Sequence, residues 1–186
     1  MILIVDMNHK RNSLGLYEFV MPIVSIVSSA EKCKILHYLD VDENDIKSCN
    51  GVILSGTPLK DNEFTKNVEK FEWLKECEKP VLGICAGMQI IGLVFGSTLK
   101  KCKEIGMVEI ETVRKNPLFS SKFKAYTLHN YTVEPSKEFE IIAKSNKCIQ
   151  GIKHKKKEIY GLLFHPEVRN KEIIKQFIVN QTKNTT

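Results

Sequence analysis

Short apolar runs, each bounded by polar or turn-forming residues, recur through the first half of the chain. They are rich in branched side chains and lie at Ile2–Val5, Lys34–Leu36, Val52–Leu54 and Val81–Ile84. Such runs are typical of buried parallel strands. Between them, Leu14–Ser28 and Val68–Cys77 place apolar residues at helical spacing,. The alternation predicts βαβ units with right-handed crossovers.

The pattern changes after Met88–Phe95, which is predicted as a helix. Six strand-like segments follow, at Gly106–Glu111, Lys124–Tyr126, Tyr131–Val133, Glu140–Ala143, Ile149–Ile152 and Ile159–Phe164. They predict a partly antiparallel region, closed by an amphipathic surface helix at Lys171–Asn180 and a frayed tail over 181–186. The expected fold class is therefore α/β, with an open, mainly parallel sheet flanked by helices and an antiparallel portion in the C-terminal half.

Composition places the chain among ordinary globular proteins. Of its 186 residues, 42% are hydrophobic and 27% charged, which predicts a single domain over residues 1–186. The longest apolar candidate, Phe19–Val27, is interrupted by Pro22 and Ser25 and falls short of the roughly 20 residues that span a bilayer. The N-terminal segment lacks the features of a secretion signal. We therefore expect a cytoplasmic protein with no membrane partner.

Neither the charge nor the cysteine content predicts a nucleic-acid site or a metal site. The formal charge is +6, but the basic residues are scattered apart from Lys153–Lys157, which we interpret as a solvated hairpin turn rather than a nucleic-acid site. The six cysteines show no spacing typical of zinc, and a reducing cytosol disfavours disulfides. We expect no metal site and five ordinary thiols, at Cys33, Cys49, Cys77, Cys102 and Cys148.

The sixth cysteine, Cys85, lies where a strand meets a helix. Gly83 and Gly87 flank it at a spacing of two residues, the Gly-x-nucleophile-x-Gly pattern of a strained turn that exposes a reactive atom. A helix N-terminus there would stabilise a thiolate, and the Ala86 N–H would be one oxyanion donor. This pattern alone leaves a buried structural cysteine equally open.

A general base for Cys85 is predicted at the end of the last strand, where His165 and Glu167 follow Phe164. In an extended strand end, residues i and i+2 share one side, so the carboxylate can orient the imidazole. Pro166 between them holds His165 extended. A third strand-to-turn segment, Gly51–Pro58, could supply a second oxyanion donor, although a plain turn explains it as well.

The segments GVILSGTP, KPVLGICAGMQIIG and IYGLLFHPEV together resemble the class I glutamine amidotransferases, in the expected order and over nearly the whole chain. The resemblance implies a Cys85/His165/Glu167 triad that hydrolyses glutamine through a γ-glutamyl thioester. It also implies oxyanion donors from the Thr57 and Ala86 backbones. Substrate contacts are implied at Gly56, Gln89, His129, Asn130 and Tyr131, the last three through their backbone.

Within that family, PVLGICAGMQ, EFEIIAKSN and FHPEV are most similar to the glutaminase of GMP synthase, which archaea make as a separate subunit of about this length. Three departures concern the surroundings of the triad. Thr57 replaces a usual glycine, and a β-branched residue resists positive φ, so we expect an oxyanion hole closed at rest and opened by a partner. Leu128 replaces a polar residue, and Asp6–Lys10 lacks the usual Gly-Gly-Gln-Tyr.

The chain contains no Gly-x-x-x-x-Gly-Lys-Ser/Thr phosphate loop,. We therefore expect no cofactor here, with ATP and Mg²⁺ bound by a partner synthetase, the ATP-pyrophosphatase of GMP synthase being favoured. The alternatives are amidation of another acceptor, a stand-alone cysteine hydrolase acting on γ-glutamyl compounds, and a non-catalytic regulatory homologue.

Overall fold

A computed structural model describes the backbone of residues 1–183 and the side chains of residues 1–180. In this part of the chain one sheet contains nine strands, in the order β2-β1-β3-β4-β9-β8-β7-β5-β6. Their bounds are β1 Ile2–Asp6, β2 Cys33–His37, β3 Gly51–Leu54, β4 Val81–Ile84, β5 Thr98–Thr112, β6 Lys122–Glu134, β7 Phe139–Lys144, β8 Ile149–His154 and β9 Ile159–Leu162.

The sheet is parallel on one side and antiparallel on the other. Strands β2, β1, β3, β4 and β9 pair in parallel, whereas β8, β7, β5 and β6 pair antiparallel. The predicted fold class is thus confirmed. Because β3, β4 and β9 run in parallel, their carboxyl ends meet at one edge, where ligands bind in open α/β sheets.

Helices cover both faces of the sheet. They are α1 Met21–Ser28, α2 Glu43–Ser48, α3 Trp73–Glu76, α4 Ala86–Val94, α5 Pro166–Arg169 and α6 Lys171–Lys183. Successive residues of β1 point to opposite faces, so Leu3 packs with α4 while Ile4 packs with α1 and α6. None of the helices described here is both long and apolar enough to cross a membrane.

Several predicted elements differ in extent. The expected helix at Leu14–Ser28 begins as a π-helical turn, Leu16–Val20, before α1, and the stretch Val68–Cys77 is divided into a 3₁₀ helix, Val68–Phe71, and α3. Helix α6 continues to Lys183, beyond the predicted end at Asn180. The remainder of the predicted tail, 184–186, lies outside the described residues.

The two predicted segments at Lys124–Tyr126 and Tyr131–Val133 are parts of one long strand, β6. The polar residues between them concealed it, because a half-exposed strand needs polar side chains on one face. Of the basic run predicted as a turn, Lys155–Lys157 lie between β8 and β9, whereas Lys153 and His154 are the last residues of β8.

The expectation of five ordinary thiols is wrong for two of them. Cys102 and Cys148 form a disulfide with a Cα–Cα distance of 6.4 Å. They are 46 residues apart and meet because a bulge in β5 between Lys101 and Glu104 lies beside the turn before β8. The spacing of cysteines along the sequence does not indicate a pair of residues so far apart.

Candidate active site

Cys85 lies at the junction of β4 and α4 in a strained backbone conformation. Its φ is +50° and its ψ −99°, a region that non-glycine residues occupy only when the surroundings enforce it. The Cys85 N–H donates to the Leu162 carbonyl at 2.7 Å, which extends the pairing of β4 with β9. The turn therefore holds the thiol at the carboxyl edge of the sheet.

The two flanking glycines permit this turn by close packing. A methyl group on Gly83 would overlap the carbonyl carbon of Gly87, and one on Gly87 would lie 2.5 Å from the Leu54 oxygen. Neither position has room for a side chain. The strained turn predicted around Cys85 thus has the close packing that its two glycines allow.

His165 is a buried imidazole held by Glu167. Its Nδ1 lies 2.7 Å from Glu167 Oε1, and both residues are at most 3% exposed. The expected local structure is only partly correct: His165 is extended, but Glu167 lies in the first turn of α5 rather than in a continued strand. Pro166 is the first residue of that helix. The helical turn, rather than an extended strand, therefore brings residues 165 and 167 together.

The environment of His165 favours its protonated form. Burial alone lowers the pKa of the imidazole, but the charges of Glu167 and Cys85 outweigh it and hold that pKa well above its ordinary value,. With Nδ1 occupied by Glu167, the proton available for chemistry is on Nε2, which makes no hydrogen bond to any described residue. His165 can therefore present a protonated Nε2 in the site.

The outer edge of β6 forms one wall of this site. Three successive outward carbonyls, those of Lys124, Tyr126 and Leu128, accept hydrogen bonds from Asn170 Nδ2 at 3.2 Å, from the His165 N–H at 2.8 Å and from Cys85 Sγ at 3.5 Å. An edge strand has unpaired backbone groups, and here they hold Cys85 and His165 against the same strand. The resting thiol thus points at the Leu128 carbonyl.

The two predicted oxyanion donors lie at the ends of neighbouring strands. Ala86 is the first residue of α4, and no described group accepts a hydrogen bond from its N–H. Thr57 is buried, its φ is not positive, and its Oγ1 donates to the Asp61 carbonyl at 3.0 Å. The loop that contains Thr57 is tied to β6 by Asn130 Nδ2, which donates to the Leu59 carbonyl at 3.1 Å.

A family profile described as glutamine amidotransferase class-I matches residues 19–184. The chain belongs to the class I glutamine amidotransferases. Related proteins include a subunit of the glutamine-hydrolysing GMP synthase from Methanocaldococcus jannaschii, 35% identical over 74% of each chain. The corresponding subunit from Pyrococcus furiosus is 36% identical, over 71% of this chain and 73% of the relative.

Two crystal structures share the fold of this amidotransferase. A candidate GMP synthase subunit from Thermoplasma acidophilum superposes with a TM-score of 0.85 and 24% identity, over 100% of this chain and 96% of the other. A glutamine amidotransferase from Thermotoga maritima gives a TM-score of 0.69 and 21% identity, over 99% and 83% of the two chains.

The predicted substrate contacts of the amidotransferase lie on or near the β6 wall. Gln89 Nε2 donates to the Tyr131 carbonyl at 2.9 Å, and Gly56 lies against the His165 ring. The His129 side chain points into a different, buried cluster, where Nδ1 approaches the Cys102 carbonyl at 3.0 Å. Burial there lowers the pKa of His129 to about 4, so only its backbone remains a predicted contact.

Sequence reasoning missed three neighbours of Cys85 and His165. Phe19 and Tyr126 pack on His165 with ring centroids 5.7 and 6.4 Å away, and the Leu128 carbonyl contacts Cys85. A backbone carbonyl leaves no signal in a side-chain pattern. Recognising β6 as one continuous strand would have placed residues 126 and 128 on the same edge.

Proposed function

We propose that this chain is the glutaminase component of a GMP synthase made of separate chains, in which it supplies ammonia to a synthetase. The Cys85 thiolate attacks the glutamine amide carbon, and the resulting oxyanion binds the N–H groups of Ala86 and Thr57. The His165 Nε2 proton passes to the departing ammonia. A water molecule deprotonated by His165 then cleaves the thioester, which yields glutamate and restores the thiol.

The observation that carries this proposal is the positive φ of Cys85 at the start of α4. A structural cysteine has no need of such strain, whereas a nucleophile on a strand-to-helix turn does. The buried pair of His165 and Glu167 on the neighbouring strand end supplies the base and its orienting carboxylate,.

The finer assignment rests on the relatives. The archaeal proteins named as GMP synthase subunits are of similar length, and a complete GMP synthase from Ruminiclostridium cellulolyticum is 33% identical over 97% of this chain but only 36% of its own length. The remaining length of that protein is what a separate synthetase chain would supply here. We accordingly propose an ATP-dependent partner that aminates XMP to GMP.

Replacement of the nucleophile tests the chemistry. Cys85→Ala should abolish measurable release of glutamate from glutamine, with and without a partner, because triad enzymes without their nucleophile retain only about 10³- to 10⁴-fold catalysis over water. Cys33→Ala removes a thiol outside the site and should leave the rate unchanged. Turnover by Cys85→Ala, checked for contaminating glutaminase, would refute the nucleophile.

Purification of the native complex tests the partner. We expect an ATP-pyrophosphatase to co-purify and the mixture to form GMP from XMP, ATP and glutamine. A different ligase would redirect the amidation while retaining the glutaminase chemistry. Full glutaminase activity of the isolated chain, without any binding to a synthetase, would instead favour the stand-alone hydrolase.

A further inference from the structure

Behind the β6 wall lies a buried polar cluster that the proposed reaction does not use. Glu104 of β5, His129 of β6 and Cys148 before β8 each present a ligand atom, and these three atoms lie within 4.8 Å of one another. Their exposed fractions are 7%, 2% and 4%. Burying ionisable groups is costly unless hydrogen bonds, an opposite charge or a metal ion compensate for the lost hydration.

Glu104 is a carboxylate without a basic partner. Ser145 Oγ donates to it at 2.8 and 3.0 Å, and Gln150 Nε2 donates at 2.6 Å. Among the described residues its sole ion-pair neighbour is the His129 ring, at 3.8 Å. Buried carboxylates in proteins are usually paired with a cation or coordinate a metal ion, and no Lys or Arg of the described residues forms an ion pair with Glu104.

The His129 ring is oriented as metal-bound imidazoles are. Its Nδ1 lies 3.0 Å from the Cys102 carbonyl, which can only accept, so Nδ1 carries the proton. The Nε2 lone pair then faces Glu104 and Gln150. A histidine that donates one ring N–H to a backbone carbonyl and offers the other nitrogen is the usual arrangement at metal centres.

Gln150 shows that the cluster is incompletely satisfied. The residue is fully buried, and its Oε1 accepts no hydrogen bond. Its amide orientation puts Nε2 2.6 Å from Glu104 Oε2 and 3.3 Å from His129 Nε2. Gln150 therefore contacts both the carboxylate and the free ring nitrogen, the two groups that a metal ion at this place would bind.

We propose that Glu104, His129, Cys148 and Cys102 form a zinc site in the reduced protein, and that the Cys102–Cys148 disulfide is its metal-free, oxidised form. Cys102 is bonded to Cys148 but is not one of the three residues whose ligand atoms lie within 4.8 Å of one another. After reduction its sulfur would have to turn toward Glu104 and His129 to become the fourth ligand. Two thiolates, one imidazole and one carboxylate make a four-coordinate set that suits Zn²⁺ better than Mg²⁺ or Ca²⁺, which prefer oxygen ligands.

A dithiol such as dithiothreitol is the reductant that converts the disulfide form to the zinc-binding form. Two electrons and two protons from that reductant convert the disulfide to two thiols, and Zn²⁺ displaces the two thiol protons on binding. In the opposite direction, glutathione disulfide takes the two electrons, Zn²⁺ leaves and the disulfide forms. The ion would link the β5 bulge at Glu104 to His129 of β6. His129 lies between Leu128 and Asn130, two residues of the β6 wall.

Zinc content of the folded chain tests the site. All proteins carry Cys85→Ala, so that the nucleophile contributes no thiolate. The chain is reduced with dithiothreitol, loaded with zinc sulfate, passed through a desalting column and assayed by mass spectrometry for metal. We expect one zinc ion per chain after reduction and none after oxidation with glutathione disulfide. Co²⁺ in place of zinc should give sulfur-to-cobalt charge-transfer absorption.

Ligand variants distinguish this site from adventitious binding. Cys148→Ser, Cys102→Ser and His129→Gln should each lose the zinc and the cobalt spectrum, whereas Cys77→Ser, which removes a free buried thiol elsewhere, should retain both. Circular dichroism of each variant establishes that it is folded. A folded, reduced chain that binds no zinc, or undiminished binding by all three ligand variants, would overturn the proposal.

Discussion

Gly56 lies directly against the His165 imidazole. A methyl group built on Gly56 would be 2.7 Å from Cε1 and 3.3 Å from Nδ1 of that ring, with Phe19 Cδ1 also at 3.3 Å. Gly56→Ala must therefore displace the His165 ring. Because a displacement of about 1 Å at a catalytic group can cost about 10²-fold in rate, we expect glutaminase kcat/KM to fall by about that factor.

A second glycine provides the matched control for Gly56→Ala. A methyl group on Gly151 would also be crowded, at 3.0 Å from Ile142 Cγ1 and 3.1 Å from Ala143 Cβ, but none of its three nearest contacts involves His165. Gly151→Ala should lower the melting temperature and retain most of the activity per folded chain. Equal loss of activity in the two variants would mean that Gly56 acts through stability alone.

The charge of Glu167 sets the pH range in which His165 can donate its proton. Glu167 raises the pKa of His165, so Glu167→Gln should lower that pKa and deprotonate the imidazolium at a lower pH. The alkaline limb of kcat/KM against pH should then move to lower pH. We also expect kcat to fall by about 10²- to 10⁴-fold, because the imidazole loses its orienting acceptor.

Glu172→Gln is the control for this charge change. Glu172 lies on α6 and pairs only with Lys175 among the described residues, with 76% of its side chain exposed. That variant should leave both the rate and the pH profile as they are. An unshifted alkaline limb in Glu167→Gln would show that this limb reports a group other than His165.

The bond from Asn130 Nδ2 to the Leu59 carbonyl links the β6 wall to the loop that contains Thr57. Its loss in Asn130→Ala should loosen that loop and lower kcat/KM by about 2- to 10-fold, the equivalent of one hydrogen bond. Asn180→Ala removes a similar side-chain bond, from Asn180 Nδ2 to the Pro117 carbonyl at 3.3 Å, outside both the loop and the β6 wall. Steady-state rates that fall equally in both variants would contradict a specific role for Asn130.

Much of the sheet and the strained turn around Cys85 could be predicted because each rests on local patterns. Runs of branched residues such as Ile2–Val5 and Val81–Ile84 can hardly be anything but buried strands, and Gly83 with Gly87 restricts the turn around Cys85. The α5 turn at Pro166 was missed because a four-residue helix has too few positions for a period,.

The remaining features depend on contacts between distant segments. The Cys102–Cys148 disulfide, the burial of Glu104 and the Cys85–Leu128 contact all arise where β5 and β6 meet other strands. Register between strands is fixed by the whole sheet rather than by any one segment. A pattern along the chain therefore identifies Cys85 and the His165–Glu167 pair but not the edge of β6 that contacts them.

Thr57 should limit the resting activity through its backbone. Its φ is not positive, and a β-branched side chain opposes the peptide flip that would turn a second N–H toward the oxyanion. Thr57→Gly removes that restriction, so we expect the rate without a partner to rise, by up to about 10²-fold given what one oxyanion donor contributes. The factor by which the synthetase stimulates hydrolysis should shrink accordingly.

Thr57→Ser separates this conformational effect from the loss of the side-chain hydrogen bond. Serine keeps a hydroxyl that can donate to the Asp61 carbonyl, as Thr57 Oγ1 does at 3.0 Å, but it has no second branch at Cβ. Its resting rate should lie between those of the wild type and Thr57→Gly. If both variants kept the wild-type resting rate and the same stimulation by the partner, the hole would already be formed at rest, and the synthetase would have to activate Cys85 by another route.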